Sequence, residues 1–262
     1  MRRIVPAFSF IPMKLIAKFL QKIKERAKRT GYGCDICGEE LFDYPNRRVC
    51  NTCRKTLYGE AQPTCPKCGR VAVTSSVCLT CKSRVPAFYK GFSPFAYEGE
   101  VALQLNRLKQ GNRRLAFFFA EEMSNCFLNG VSKENRENLL IIPVPLTEEK
   151  RKLRGYNQAE ELAEHIHTVF IAHGVDCELD FQVLQKKRET ENQKSLGFFD
   201  RAENVSGVYH VHKRKACRGK TILLIDDIMT TGATASVCAK LLYSAGADRV
   251  YALCTASVPE RR

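Results

Sequence analysis

The stretch Thr221–Gly246 constrains the fold of this chain more than any other part of its sequence. It begins with five apolar or β-branched residues, a run too short and too branched for a helix, which predicts a strand over Thr221–Ile225 that is buried on both faces. Two carboxylates, Asp226 and Asp227, follow directly. A helix is predicted over about residues 235–244, ended by Gly246. Between the acids and this helix lies a turn of small residues that contains Thr230, Thr231, Gly232, Ala233 and Thr234.

This order of residues indicates a site for a phosphate and a diol, the outline of a ribose 5-phosphate. Ligands of open α/β sheets bind at the carboxyl ends of the strands. A glycine-containing turn before a helix directs N–H groups and hydroxyls at one point, which suits a phosphate. Adjacent carboxylates can accept hydrogen bonds from vicinal hydroxyls or hold a hydrated divalent metal. The alternative is a plain turn in which Asp226 and Thr231 cap the helix, although two buried acids without a ligand are costly to desolvate.

The same stretch resembles the fingerprint of the type I phosphoribosyltransferases, in which an apolar run precedes Asp-Asp, two residues, Thr-Thr-Gly, one residue and Thr. The resemblance implies that Asp226 and Asp227 hold the ribose hydroxyls of phosphoribosyl pyrophosphate. It also implies that the 5-phosphate lies in the turn formed by Thr230, Thr231, Gly232, Ala233 and Thr234.

Strands and helices alternate from Phe88 onward, which predicts a parallel α/β sheet. Predicted strands cover residues 92–97, 139–142, 180–184, 207–211, 221–225 and 249–255; predicted helices cover residues 99–108, 115–128, 158–172 and about 235–244. The polar stretch 185–206 has the length of a lid. Together with the fingerprint, this predicts a type I phosphoribosyltransferase-like sheet with helices on both faces over residues 88–262.

Eight of the thirteen cysteines form four Cys-x-x-Cys pairs ahead of the predicted sheet. The pairs are Cys34/Cys37, Cys50/Cys53, Cys65/Cys68 and Cys78/Cys81. Two pairs can place four thiolates around one tetrahedral zinc ion, so the eight cysteines predict two closed structural zinc sites in a domain over residues 34–87. Sequential pairing of the knuckles is expected, and crossed pairing is the alternative.

A disulfide framework is the competing interpretation of these cysteines. Disulfides belong to exported proteins, whereas the basic start of this chain has no sustained apolar core and predicts no signal peptide. The remaining cysteines are scattered in apolar surroundings and are expected to be ordinary buried thiols. They are Cys126, Cys177, Cys217, Cys238 and Cys254.

The positive charge of the chain is concentrated in its first third. Residues 1–95 contain 18 Lys and Arg against 6 Asp and Glu, a net charge of +12, whereas residues 96–262 contain 24 against 22, a net charge of +2. This bias favours an anionic partner, either nucleic acid or a lipid surface. Within the N-terminal extension, residues 1–33, apolar residues at helical spacing predict a basic amphipathic helix over Met13–Arg29 that docks on the protein, a membrane surface or nucleic acid. No apolar run reaches eighteen residues, so no membrane span is predicted.

Four aromatic residues lie among the basic residues of this third: Phe42, Tyr44, Tyr58 and Phe88. Their rings could stack on the bases of single-stranded nucleic acid. The alternative is that they fill gaps around the zinc sites, which is the role expected for Phe42.

Beyond the fingerprint, the chain from about Cys34 resembles the ComF family of bacterial proteins associated with DNA uptake in natural competence. The features that carry the resemblance are the Cys-x-x-Cys knuckles, Tyr97-Glu98-Gly99, Leu108-Lys109 followed by Gly111-Asn112, Ile142-Pro-Val-Pro-Leu146, Arg154-Gly-Tyr-Asn-Gln-Ala159, the series Gln193, Leu196, Arg201, Asn204 and Gly207, and the fingerprint. The segment Arg154–Ala159 is the most specific of these.

The resemblance implies a cytoplasmic protein that helps the uptake or processing of imported single-stranded DNA, with competence-machinery proteins as partners. It implies a pyrophosphate held by the backbone of Pro143, Val144 and Pro145 and by the Arg154 guanidinium, with Mg²⁺ bridging pyrophosphate and ribose. The lid candidates are Arg201 and Asn204. The alternative function is an active phosphoribosyltransferase that acts on an unidentified base.

Overall fold

The computed structural model describes residues 32–186 and 207–260. The chain divides into two compact units, residues 1–55 and 56–262. The division falls between the two cysteine clusters, so the second cluster belongs to the same unit as the sheet. The predicted helix over residues 13–29 and the lid candidates Arg201 and Asn204 lie outside the described residues.

The described part of the first unit is built from tight turns around cysteines. The Cys34 N–H donates to the Glu39 carbonyl at 2.7 Å, and the Gly38 N–H donates to the Cys34 carbonyl at 2.8 Å, which closes the first knuckle. Val49, which directly precedes Cys50 of the second Cys-x-x-Cys pair, is also buried. A short helix, α1, spans Asn51–Tyr58.

The second unit alternates strands and helices in the predicted manner. Its helices are α2 (Leu79–Ser83), α3 (Gly99–Lys109), α4 (Leu115–Gly130), α5 (Glu148–Arg154), α6 (Gln158–Ala172) and α7 (Ala233–Ser244). Its strands are β1 (Lys90–Phe92), β2 (Phe95–Ala96), β3 (Leu139–Pro143), β4 (Cys177–Leu179), β5 (Leu184–Lys186), β6 (Tyr209–Val211), β7 (Thr221–Met229) and β8 (Arg249–Ser257). Of the described residues, none belongs to a helix both long and apolar enough to cross a membrane.

The main sheet is parallel and has the order β1-β8-β7-β3-β4, with β2 also paired to β8. β5 and β6 form a separate antiparallel pair. The two longest strands, β7 and β8, lie side by side at the centre. The carboxyl ends of β3 and β7 are therefore neighbours at one edge, where an open α/β sheet binds its ligands.

Side chains of the central strands alternate between two buried faces. On one face, Leu224 and Ala252 belong to a core that includes Ala239 of α7. On the other, Tyr251 meets the edge of the Phe127 ring of α4, which stacks on Phe170 of α6. Helices thus cover both faces, as predicted. Each fully buried large side chain of this kind contributes about 1.5–3 kcal/mol relative to an exposed one.

Two predicted strands are interrupted in the structure. The strand predicted over residues 92–97 breaks at Pro94 into β1 and β2, because proline has no N–H to donate to the sheet. The strand predicted over residues 180–184 is wrong: β4 ends at Leu179 and β5 begins at Leu184. There the Asp180 carboxylate accepts a hydrogen bond from the Gln182 N–H at 2.7 Å, a local turn that competes with extended pairing.

The fingerprint strand is longer than predicted. It pairs with β8 as far as Met229, opposite Ser257, and does not end at Ile225. Asp226 and Asp227 are therefore part of the strand, and their side chains point to opposite faces of the sheet.

Candidate functional site

Asp226 extends the apolar face of β7 that packs against α7. Its Oδ1 accepts a hydrogen bond from the Asp227 N–H at 2.9 Å. Burial, followed by the negative charge of Asp227, raises the pKa of the Asp226 carboxyl well above its ordinary value. Burial and the nearby Asp226 likewise raise the pKa of the Cys238 and Cys254 thiols. This face of the strand end disfavours negative charge in the absence of a ligand.

Asp227 points the other way and meets a lysine. Its Oδ2 lies 3.2 Å from Nζ of Lys109, the last residue of α3, and both side chains are partly buried. Lys109 also offsets part of the rise in the pKa of Asp226. Sequence reasoning placed Lys109 only in a family motif, since nothing local links it to an acid more than a hundred residues away. The pair gives the acidic edge one internal cation.

The turn between β7 and α7 contains the residues predicted to hold the 5-phosphate. Gly232 precedes α7 with φ 78°, a left-handed conformation that glycine adopts without strain. The Thr231 hydroxyl accepts a hydrogen bond from the Ala233 N–H at 3.3 Å. The turn lines a small cavity of about 40 Å³ with Asp226, Thr230 and Thr234. Ala233 and Ala235, at the start of α7, also line it.

A second cleft, of about 120 Å³, joins the fingerprint to the end of β3. Its lining includes Asp226, Asp227 and Thr234 from one side and Val144, Pro145, Leu146, Arg154, Asn157 and Gln158 from the other. Two further residues were not predicted, Lys186 and Tyr209, which come from the antiparallel pair β5–β6. The Lys186 ammonium lies 5.2 Å from the centre of the Tyr209 ring. The structure thus brings together predicted residues that are about eighty positions apart.

The end of β3 offers fewer N–H donors than its predicted role requires. Pro143 and Pro145 have none. The Val144 N–H is already donated to the Ile225 carbonyl at 2.9 Å. Any backbone contact to a pyrophosphate on this side therefore falls to the N–H groups after Pro145.

The segment Lys150–Arg154 contains four basic residues, of which Arg154 lines the cleft. It donates to Oε1 of Gln158 at 2.8 Å, and both residues line the cleft. Arg151 is instead held by Glu160 through two hydrogen bonds of 3.0 and 2.7 Å. Lys150 and Lys152 are exposed. The two lysines therefore extend into solvent, whereas Arg154 is partly buried at the cleft.

Asn157 ties the cleft wall to the start of α6. Its side-chain oxygen accepts from the Ala159 N–H at 3.0 Å, as an N-cap does, and its amide donates to the Val144 carbonyl at 3.1 Å. One side chain therefore fixes the position of the β3 end relative to α6.

The eight knuckle cysteines gather in two sequential sets. The sets are Cys34, Cys37, Cys50 and Cys53, and Cys65, Cys68, Cys78 and Cys81, with the sulfur atoms of each set within 4.8 Å of one another. Sequential pairing is therefore confirmed. No disulfide links any of the thirteen cysteines, all of which lie in the described residues. Cys177, Cys217, Cys238 and Cys254 are buried, as predicted, and Cys126 is partly buried.

Both sets have the dimensions of a metal site. Sulfur atoms at about 2.3 Å from a tetrahedral zinc ion are about 3.8 Å apart. The Cys37–Cys50 and Cys68–Cys78 sulfur separations are both 3.8 Å. Backbone N–H groups also point at sulfur at equivalent places, from Cys50 to Cys34 and from Cys78 to Cys65, at 3.3 Å. The residues present fit a divalent metal with thiolate ligands.

N–H donors favour the thiolate form of one member of the second set, Cys65. Burial raises the pKa of the Cys65 thiol, but backbone hydrogen bonds led by that from Cys78 outweigh it and lower the pKa to about 7. A thiolate is the form that ligates metal.

The raised pKa of Asp226 predicts a pH-dependent effect of Asp226→Asn. Between the ordinary carboxyl pKa and the raised one, the folded protein holds a proton that the unfolded chain releases, so stability falls as pH rises through that window. Asparagine keeps the acceptor for the Asp227 N–H and carries no charge. The variant should therefore unfold at a higher temperature than the parent, with a difference that grows from acidic toward neutral pH in thermal melts.

The exposed carboxylate Asp248, in the turn before β8, gives the matched control. Asp248→Asn should show no such growth of the difference with pH. A melting temperature for Asp226→Asn that follows the parent at every pH would contradict the assignment.

Comparison with known proteins agrees with this architecture. The family described as phosphoribosyl transferase domain matches residues 154–262. Competence protein ComFC of Bacillus subtilis (strain 168) is 29% identical over 220 residues, which cover 81% of this chain and 85% of that protein. DNA utilization protein YhgH of Salmonella typhimurium is 26% identical over 79% of this chain and 88% of its own length.

Competence protein F of Haemophilus influenzae is 24% identical over 226 residues, which cover 84% of this chain and 94% of that protein. Each of these relatives matches about four fifths of this chain. These comparisons support the ComF family for this chain, which has a phosphoribosyltransferase-like sheet and two cysteine clusters that can hold metal ions.

Proposed function

We propose that this protein is a cytoplasmic DNA-utilisation protein that binds a phosphoribosyl pyrophosphate-type ligand and handles transforming single-stranded DNA. The observation that carries the ligand part is the cleft of about 120 Å³ shared by Asp226, Asp227 and Thr234 with Val144, Pro145 and Arg154. This cleft brings residues predicted to bind the ribose 5-phosphate part of the ligand together with residues predicted to bind its pyrophosphate. The DNA part is supported by the names of the relatives, two competence proteins and a DNA utilization protein.

The 5-phosphate end of the ligand belongs at the turn before α7. A dianionic phosphate suits a helix N-terminus with free N–H groups and threonine hydroxyls. Thr231 is exposed and its hydroxyl can donate to a phosphate while it accepts from the Ala233 N–H.

The ribose and pyrophosphate belong between Asp226, Asp227 and Arg154. Vicinal hydroxyls can donate to the acids, and the Arg154 guanidinium can hold phosphate oxygens. Mg²⁺ would supply charge neutralisation between the acids and the pyrophosphate when bound. Lys186 is a further cation on the same lining.

We predict that Thr231→Ala weakens binding of ribose 5-phosphate and of phosphoribosyl pyrophosphate with Mg²⁺ by roughly 10-fold or more. A hydrogen bond to a charged group contributes about 1.5–3 kcal/mol. The melting temperature of the unliganded protein should stay nearly unchanged, because the side chain is exposed and its hydrogen bond from the Ala233 N–H is long, at 3.3 Å. Titration calorimetry and thermal melts measure the two effects.

Thr168→Ala is the control, since Thr168 is exposed on α6 and bonds only within its helix, to the Glu164 carbonyl, among the described contacts. It should bind like the parent. Equal affinity of Thr231→Ala and the parent would contradict the phosphate site. Pyrophosphate release over a panel of bases then separates binding from turnover, and any base-dependent release would establish the alternative function as a transferase.

The two cysteine sets are proposed to hold structural zinc. Closed sets of four thiolates leave no open coordination position for chemistry. Zinc bound in such sets supplies folding energy.

Reductively prepared protein should contain about two zinc ions per chain. Cys34→Ser and Cys65→Ser should each lose about one and lower the stability of their own unit, because a structural site rarely survives the loss of one thiolate. Cys126→Ser, outside both sets, should keep both ions. Metal analysis by mass spectrometry decides, and less than one zinc in the parent protein would overturn the proposal.

The DNA surface is proposed to lie chiefly in residues 1–31. The sequence divides the +12 of the first third unequally: residues 1–31 hold nine Lys and Arg against one Glu, residues 32–55 hold four against four, and residues 56–95 hold five against one. The first cysteine set is therefore in a neutral segment. The lipid-surface alternative uses the same charges.

The aromatic candidates separate in the structure. Phe88 is completely buried, so it cannot stack on a base. Phe42 is 91% exposed, which contradicts its expected role as a core residue and leaves its ring free for stacking. Tyr58 packs on Phe95 and donates its hydroxyl to Glu122. Tyr44 lies under the Arg48 guanidinium, 5.4 Å from it.

We predict that replacing Lys14, Lys18, Lys22, Lys24 and Lys28 by glutamine weakens binding to single-stranded DNA. It should also flatten the dependence of affinity on salt, because each lost phosphate contact removes a logarithmic slope of roughly 0.7. Fluorescence anisotropy with two DNA sequences at several salt concentrations measures both effects.

The matched control replaces five exposed lysines of the second unit: Lys133, Lys150, Lys152, Lys215 and Lys240. It has the same net charge and should bind far more like the parent. Equal losses in the two variants would move the DNA surface to the sheet. Binding of the parent to anionic vesicles and not to DNA would favour the lipid alternative.

A further inference from the structure

We infer that the second cysteine set is part of the phosphate site and that Arg70 is the residue that positions its turn. The phosphate ligand in this inference rests on the proposed function, whereas the contacts of Arg70 are seen in the unliganded structure. Arg70 lies two residues after Cys68, which ends the first Cys-x-x-Cys pair of the second set. It lies in the same compact unit as the turn.

Arg70 links the knuckle to the turn directly. Its guanidinium donates to the Thr230 carbonyl at 2.6 Å and reaches the Thr80 hydroxyl at 3.4 Å. Its own carbonyl accepts from the Cys65 N–H at 2.8 Å, inside the metal-binding knuckle. The residue is only 5% exposed. A buried guanidinium bound to a carbonyl of the turn fixes the place where the phosphate-binding residues begin.

The knuckle and the first strand of the sheet touch backbone to backbone. The Gly91 N–H donates to the Lys67 carbonyl at 2.8 Å. A Cβ added at Gly69 would lie 2.6 Å from the Gly91 oxygen, and one added at Gly91 would lie 2.6 Å from the Cys68 oxygen. No side chain separates the two segments. The knuckle is therefore held on the sheet at a fixed distance.

Phe88 packs between the second cysteine set and the turn. It is fully buried in the core that contains the four second-set cysteines and Met229. Its ring lies 3.7 Å from where a Cβ of Gly232 would be. The neighbouring Ala87 N–H donates to the Ser236 hydroxyl of α7 at 2.9 Å. The floor of the turn and the knuckle thus share one core.

The segment after β8 holds the outer side of the knuckle. The Glu260 carboxylate accepts from the N–H groups of Leu79 and Val73 at 2.6 and 3.3 Å. The Glu260 N–H donates to the Val71 carbonyl at 2.9 Å. Contacts to the turn, to β1 and to the segment after β8 fix the position of the second cysteine set in this unit. Its role is to hold the phosphate turn in the binding conformation.

The test uses the full chain with Arg70→Ala, Arg70→Lys and the control Arg84→Ala, an exposed arginine just after α2. Amide hydrogen exchange of the turn over residues 230–234, measured without ligand, should be faster in Arg70→Ala. Loss of a hydrogen bond from a charged group allows an increase of roughly 10-fold or more. Arg70→Lys, which keeps one charged donor, should recover part of the protection. Arg84→Ala should exchange like the parent.

Metal content and ligand binding complete the test. Arg70→Ala should keep both zinc ions yet bind ribose 5-phosphate at least about 10-fold more weakly, with partial recovery in Arg70→Lys. Unchanged exchange and unchanged affinity in a metal-loaded Arg70→Ala would overturn the inference. Should Arg70→Ala lose zinc, a metal-loaded Arg70→Met, which keeps an apolar side chain but has no donor, decides in its place: parent-like exchange overturns the inference, and faster exchange supports it.

Binding of the parent separates this inference from the proposed function. A parent that binds neither ribose 5-phosphate nor phosphoribosyl pyrophosphate refutes the proposed ligand, and the exchange measurement still decides whether Arg70 holds the turn.

Discussion

The parallel pairing of β7 with β8 is the interaction on which the ligand site depends. The two strands are paired from Thr221 to Met229, longer than any other pair in the sheet. Because the pairing runs past the buried core, it carries Asp226 and Asp227 to the sheet edge while keeping each on a defined face. A shift of one residue in register would exchange the faces of the two acids. The position of the turn before α7 follows from the same register.

Much of the fold could be predicted because local signals and tertiary structure agree. The helix predicted over residues 158–172 has those bounds in the structure, since the Asn157 cap and the buried stripe that includes Leu162 and Ile166 are both local features. The eight cysteines were identifiable from their spacing, although spacing left crossed pairing of the knuckles open. Predictions failed where a single local interaction interrupts an extended run, as at Pro94 and at the Asp180 turn.

The candidate site was predicted in its parts and not in its connections. Asp227 and Thr231 were identifiable because the fingerprint is contiguous in sequence. The Lys109–Asp227 ion pair and the Arg70–Thr230 hydrogen bond join residues more than a hundred positions apart, and no spacing rule indicates either. The compact unit that contains the sheet also includes the second cysteine set, and no local pattern in the sequence indicates this packing.

The arrangement of charge explains why these long-range contacts matter. An anionic ligand that enters the cleft approaches two carboxylates, one of which already has a raised pKa because of burial and its neighbour. Like charges that lie close together repel strongly in a partly buried site, because the effective dielectric constant is lower there than in water. Lys109 forms an ion pair with Asp227, and Arg154 and Lys186 line the same cleft. The cations are supplied by α3, α5 and β5, so the site acquires its charge balance only when the whole unit is folded.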